Sequence, residues 1–421
     1  MMLKNLLIGL LILVTGNVTA QQIETDLPLT FRVKVTNPLN IARENTLVVL
    51  SPEQIRKVAA KFNSKAFVVV DAGREIPSQY NAHDMDDPGV VFVLEKLNPS
   101  ESREVTVRYK VDGTMSRNYA KRTQAELSHK TGGEWKDREY MAGAFQNVEY
   151  LRVPPQHKDH SWFIRYEGPG WESDKVGYRF YLDQRNATDV FGKKVPELVL
   201  QNVGLDGFDS YHNLQPWGMD VMKVGKSLGL GSLGATAEGK TIRVEKTDSV
   251  NCRIVENGAV FSSIVTNYSG WLTGTQKHDV RSKISIHAGT RLTHQQFDIT
   301  NHPENLVTGI VKDTKAKLFT QTGSANQWAY LATYGKQSLN SDELGLAVLV
   351  KPSALAAFSE DEFSHIMQLK SGQGKLEYYF LAAWGGEPGG ISDEKQFLDY
   401  VNQVAKELAD PVKVQLMTGK K

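Results

Sequence analysis

The chain has 421 residues, with 49 Lys+Arg against 48 Asp+Glu. That balance leaves no strongly basic stripe, so no nucleic-acid partner is expected. Cys252 is the only cysteine; an intrachain disulfide is excluded, and its strand-like neighbours make it a core residue rather than a nucleophile.

Residues 1–20 read as a secretory signal. Lys4 supplies the positive start, residues 6–14 form an apolar run too short to span a bilayer well, and Val18, Thr19 and Ala20 are compact residues before the cut. No later segment is apolar and long enough to cross a membrane. A soluble periplasmic product without membrane insertion is expected, its oligomeric state unspecified.

Residues 21–115 predict an N-terminal β unit. Phe31, Val33 and Val35 alternate with Arg32, Lys34 and Thr36, and Val105, Val107, Tyr109 and Val111 repeat the pattern. Between them Ser51, Pro52 and Gln54 predict a capping box that opens a short helix, and residues 67–71 and 90–94 predict further strands. Residues 112–150 are polar, irregular and locally basic through Arg117, Lys121, Arg122, His129 and Lys130; they read as a connecting or site-lining stretch.

Residues 116–421 predict the main β part, with strands at 241–244, 254–255, 260–267, 281–287, 291–300 and 378–382. Asn257 and Gly258 predict a type I′ hairpin turn. Near the end Ser392 is expected to cap a helix with Phe397, Leu398, Val401, Val404, Ala405 and Leu408 on its apolar face. Propeller-type repeats are not visible. The predicted class is all-β, a large antiparallel β super-sandwich with a few short helices.

Chemistry concentrates in residues 157–234, where ionisable groups, tryptophans and glycines crowd together. A strand over 178–185 puts Arg179, Tyr181, Asp183 and Arg185 on one face, opposite Tyr178, Phe180 and Leu182. Such a face suits a sugar site, because guanidinium groups bind carboxylate or sulfate bidentately; it equally suits a solvated, salt-bridged surface. The same alternation over 160–167 sets Ser161, Phe163, Arg165 and Glu167 against His160, Trp162, Ile164 and Tyr166. Trp171 and Trp217 lie among glycines and prolines, where an indole either stacks on a pyranose or plugs the core. His212, beside Tyr211 and upstream of Asp220, is a candidate proton-transfer group. His157 and His160 flank Asp159, but no third ligand is specified, so no metal is expected. The glycine-rich residues 224–231 lack the frame of a phosphate loop, and no dinucleotide fingerprint, zinc-protease helix or nucleophile elbow occurs. No cofactor is expected.

Three runs carry a resemblance: RYEGPGWESDK at 165–175, FYLDQRN at 180–186, and WGMD at 217–220 followed by KVG at 223–225. They resemble a family of exported proteins encoded with bacterial polysaccharide-degrading systems, a family long labelled only as of unknown function. The resemblance runs from about Val33 onward. One branch is similar to the oligosaccharide dehydratase of ulvan breakdown, which removes water from a non-reducing-end uronic acid and leaves a 4,5-unsaturated uronyl residue. The resemblance implies a galactose-mutarotase-like super-sandwich and an oligosaccharide substrate containing uronic acid.

That chemistry sets the roles expected of these residues. Arg179, Arg185 or Lys175 would neutralise the uronate carboxylate. His212 or Tyr211 would take the C5 proton, and His160, Tyr166 or Glu167 would protonate the departing C4 hydroxyl. Arg165, Asp183, Asp220, Trp171 and Trp217 would line the sugar. A glycoside hydrolase is the alternative, with Glu167 or Glu172 paired to Asp183 or Asp220. A non-catalytic sugar-binding protein and a sugar epimerase or mutarotase on the same fold are the others.

Overall fold

The structure, a computed structural model, describes residues 25–419 apart from 238, 302 and 371. The expected signal segment lies outside these residues. The fold is all-β, built from antiparallel sheets.

Two sheets sandwich one core near the N-terminus. The first orders strands Lys413–Thr418, Leu29–Thr36, Ser102–Tyr109, Phe67–Asp71 and Arg74–Ile76; the second orders Arg43–Leu50, Gly89–Leu97 and Ser78–Asn81. Phe31, Val33 and Val35 meet Val48, Leu50, Val90 and Phe92 between them, as the alternation requires. Helix α1, Pro52–Val58, opens on the predicted box: the Gln54 amide donates to Ser51 Oγ at 3.2 Å, and the Ser51 amide donates to Gln54 Oε1 at 2.9 Å. The strand Lys413–Thr418, absent from the sequence reading, returns from the far end of the chain to pair with Leu29–Thr36. The other face of the second sheet packs Val91 and Val93 on Val260, Phe261 and Ala288. Beside it the fully buried Lys283 ammonium lies 2.7 Å from Asp84 and 2.6 Å from Asp87.

The main body centres on a nine-stranded sheet running from Tyr150–Arg152 at one edge to Ala316–Gln321 at the other. Two five-stranded sheets share its largest core, in which Trp171, Tyr178 and Phe180 pack with Ile284, Tyr268 and Phe380. Helix α2, Glu394–Ala409, sets Phe397, Val401, Val404 and Ala405 against Ala347, Leu349, Leu381 and Ala383. Its cap is Asp393, which accepts from the Gln396 amide at 2.8 Å, and not Ser392; the carboxylate is the stronger acceptor at a helix N-terminus.

Two local expectations are corrected. Strands Ser249–Asn257 and Phe261–Thr273 do form a hairpin, but neither Asn257 nor Gly258 has positive φ. The connection is therefore a longer loop, closed by Gly258 N–H donating to the Phe261 carbonyl at 3.0 Å, and not a type I′ turn. Residues 112–150 are not irregular throughout. They hold strand Thr123–Glu126 and a hairpin of Ser128–Lys136 with Glu139–Asn147, whose mostly polar strands are too solvated for a hydrophobic alternation to show.

Trp171 is 1% exposed; its indole N–H donates to Thr293 Oγ1 at 2.8 Å and its ring stacks on Tyr178. It plugs the core and cannot stack on a sugar. Trp171→Ala is expected to cost about 3–5 kcal/mol of stability, read by urea unfolding. A loss of saccharide binding with unchanged stability would contradict this placement.

Candidate functional site

The site is built on the outer face of the five-stranded sheet ordered Gly218–Asp220, Thr188–Lys193, Val176–Phe180, Gly170–Ser173 and Thr123–Glu126. Register aligns Glu126, Gly170, Arg179 and Asp189 across four strands. Directly opposed residues point to the same side, so Glu126, Arg179 and Asp189 face outward while Trp171, Tyr178 and Val190 face the core. The loops 154–169 and 194–217 lie over this outer face, contributing Tyr166, Leu200, Val203, Phe208 and Tyr211 to a small apolar layer with Phe191.

Arg179 is the hub. Its Nη2 donates to Asp220 Oδ2 at 2.6 Å and Asp189 Oδ2 at 2.8 Å, and its Nη1 to the Tyr211 hydroxyl at 3.0 Å and the Tyr166 carbonyl at 3.2 Å. The Tyr181 hydroxyl donates to Asp189 at 2.6 Å. Arg185 forms a second hub. It lies over the Tyr181 ring at 3.9 Å and bridges Asp159 and Glu167, each at 2.7 Å, and Asp183 at 2.5 Å. Five carboxylates thus surround two guanidiniums.

Burial, and then Asp220, push the Asp189 carboxyl up to about 7. Burial also acts to raise Glu167, but Arg179 and Arg185 outweigh it and hold that carboxyl below its usual range. Burial raises the Tyr181 and Tyr211 phenols.

Two imidazoles reach solvent from this network. His212 is 42% exposed, with Nε2 3.4 Å from Asp220 Oδ2; the interaction with Asp220 raises its pKa against burial. The Tyr211 carbonyl accepts from the Asp220 amide at 2.8 Å, which seats His212 beside that carboxylate. His160 is 63% exposed, its Nδ1 2.5 Å from Asp159, and its amide donates to Glu167 at 3.0 Å. Phe208 and Tyr211 link the two by ring contacts: the Phe208 centroid is 4.9 Å from His160 and 6.3 Å from Tyr211, whose ring lies 4.7 Å from His212. Trp162 packs on the same phenyl ring at 4.3 Å.

The backbone here is strained. His160, Trp162, Tyr166 and Glu167 all have positive φ, at 58°, 61°, 37° and 72°, a region side-chain-bearing residues rarely adopt. The expected strand over 160–167 is therefore wrong; Arg165–Glu167 is a single helical turn. Its neighbour is corrected too. The strand ends at Phe180, and the Tyr181 amide donates to the Ala187 carbonyl at 3.0 Å, so residues 182–186 fold back and bring Arg185 onto Tyr181. Clustered backbone strain of this kind marks functional sites.

Several expected site residues stand elsewhere. Arg165 and Tyr166 are buried, both bonded to Glu126. Tyr166 reaches the hub only through its carbonyl, so its hydroxyl is not an acid for a substrate, and Arg165 is not a sugar contact. Arg179, 2% exposed, is saturated and not free to meet a substrate anion. Tyr211 is 1% exposed with its hydroxyl on Arg179, which removes it as a base. Glu172 is sealed against Lys193 at 2.6 Å. Lys175, in the turn before strand Val176–Phe180, lines a different cavity of about 720 Å³ with Arg291 and Tyr400. Trp217 is half-buried against Phe191.

The donors of Asp159, His160 and Glu167 lie within 4.8 Å of one another. The Arg185 guanidinium already bridges both carboxylates, supplying the charge a cation would bring. His157, grouped with His160 in the sequence reading, is buried on Ser161 at 2.7 Å instead. Asp189 and Phe208 escaped that reading. The alternation Asp189, Val190, Phe191 carried a signal for the first; a lone phenylalanine in a glycine-rich loop carried none for the second.

A family model described as a domain of unknown function, DUF4861, matches residues 35–414. The chain belongs to the DUF4861 family. Solved structures similar to this DUF4861 chain include a protein in the glycosyl hydrolase family 38 from Enterococcus faecalis, with TM-score 0.46 and 8% identity over 93% of this chain and 48% of that one. An alpha-mannosidase from Enterococcus faecalis V583 gives TM-score 0.50 and 8% identity over 95% and 48%. The DUF4861 chain spans about half the length of these solved chains. Comparison with the curated proteins gives no match.

Proposed function

We propose that this DUF4861 protein is a carbohydrate-active lyase that removes water from a non-reducing-end uronic acid of an oligosaccharide. The observation that carries the reading is the pair of solvent-reaching imidazoles, His212 and His160, each backed by a carboxylate and linked through the rings of Tyr211 and Phe208. His212 takes the C5 proton, the C–H electrons form the C4=C5 double bond, the C4–O bond breaks, and His160 protonates the oxygen, which leaves as water. Imidazoles suit both steps near neutral pH. The resemblance in residues 165–186 and the fold shared with a sugar-cleaving enzyme support a saccharide substrate, though fold alone does not select a reaction.

Hydrolysis is the weaker reading. It needs a carboxylate pair free to act on the glycosidic bond. Glu167, Glu172, Asp183 and Asp220 are each buried and engaged by arginine or lysine. The test is to add the protein to uronate-ended oligosaccharides and follow both the ultraviolet absorbance of a conjugated enol ether and the appearance of reducing ends. Absorbance without new reducing ends is expected; new reducing ends without absorbance would sink the proposal.

A further inference from the structure

A saccharide that bears carboxylate or sulfate calls for a cation to meet it, and neither guanidinium hub has charge to spare. Arg179 is sealed, and Arg185 is shared by Asp159, Glu167 and Asp183. Lys130 lies on the hairpin strand Ser128–Lys136. Its register partner across the hairpin is Phe145, and its ammonium sits 5.4 Å above that ring and 5.1 Å above the Trp162 ring. Among the described residues no carboxylate lies within ion-pair distance of it. Lys130 N–H donates to the Phe163 carbonyl at 2.8 Å and Tyr140 N–H to the Ser161 carbonyl at 2.7 Å, which clamps the hairpin to the strained segment carrying His160. Trp162, Phe208 and His160 then form a continuous strip with centroid spacings of 4.3 and 4.9 Å.

We propose that Lys130 and Trp162 form a subsite beside His160, where the indole stacks on a sugar ring and the ammonium binds that sugar's carboxylate or sulfate. The inference rests on the saccharide reading above, not on the lyase step. An ammonium over two rings is partly stripped of water, and burial lowers its pKa, so an incoming anion both pairs with it and restores what desolvation removed. The surplus of carboxylates around Arg179 and Arg185 repels anions deeper in the site, leaving Lys130 as the anchor for negative charge.

The test is calorimetric binding to the whole protein of oligosaccharides carrying uronate only, sulfate only, or neither, with Lys130→Gln and Lys130→Arg beside the wild type. Lys130→Gln is expected to weaken binding of one anionic class by about tenfold or more, the loss of a charge-assisted hydrogen bond. It should leave the melting temperature and neutral-sugar binding unchanged, and Lys130→Arg should retain most of the affinity. The class that suffers identifies the anion. Equal affinity in Lys130→Gln, equal losses for charged and neutral sugars, or no binding of any anionic oligosaccharide by the wild type overturns the proposal. Tight Lys130-dependent binding without enol-ether absorbance upholds the subsite and discards the lyase.

Discussion

Arg179→Met is expected to destabilise the protein by about 3–5 kcal/mol, the cost of leaving buried charges without their partner. The guanidinium holds Asp189 and Asp220 and bonds Tyr211, all in a site with almost no solvent. It also lies about one ring's reach from Tyr181, Phe191 and Tyr211, with centroid distances of 5.0, 5.2 and 5.1 Å. Methionine fills part of the volume but leaves two carboxylates facing each other.

The loss depends on pH, and its sign follows from the protonation states. A carboxylic acid is cheaper to bury than a carboxylate, so the defect shrinks as pH falls and Asp189 takes up its proton. Asp189 is already pushed up to about 7 by burial and Asp220, and Arg179 is what holds it from rising further. Urea unfolding at neutral and mildly acidic pH measures the effect. A loss below about 1 kcal/mol, the range of an ordinary surface change, would mean that the hub does not hold the outer face together. Arg179→Lys should fall between, since it keeps the charge but not the planar fork.

His212→Ala is expected to lower kcat on a uronate-ended oligosaccharide by about 10²–10⁴-fold, the usual contribution of a general acid or base. KM should change little. Folding should be almost untouched, because the imidazole is half in solvent. The interaction with Asp220 raises the His212 pKa, which makes the neutral imidazole a stronger base but requires a higher pH to produce it. The rate should therefore fall as pH drops through this raised pKa. Asp220→Asn removes the carboxylate, returns the imidazole toward about 6.5, and should move the acidic limb of the profile to lower pH with a smaller maximum. An unmoved limb would separate His212 from the rate, and full activity in His212→Ala would assign the base elsewhere.

Much of the fold was legible because alternation is a property of neighbouring residues. Phe31, Val33 and Val35 had to face one way, and Tyr178 and Phe180 had to face opposite Arg179 and Tyr181. Local chemistry also sufficed for the Ser51–Gln54 box and for the apolar stripe from Phe397 to Ala405. The reading failed where the backbone left regular geometry. Four positive φ values within 160–167 break the period of two, so Tyr166 and Glu167, adjacent in the chain, serve different networks. The pairing of Lys413–Thr418 with Leu29–Thr36 joins the two ends of the chain, and a local pattern carries no information about such distant partners.

The sequence by itself determined the class of fold, the burial of Cys252, and the stretch of chain in which ionisable groups are concentrated. The tertiary structure alone decided which of those groups meet solvent. Alternation says which residues share a face, but whether that face is covered depends on loops 154–169 and 194–217 folding over it. Under that cover Arg165, Arg179 and Tyr211 are consumed by internal partners, because a buried charge or hydroxyl left unpaired is costly. His212 and His160, at the edge of the same cover, keep their access to water, as the proposed proton transfers require.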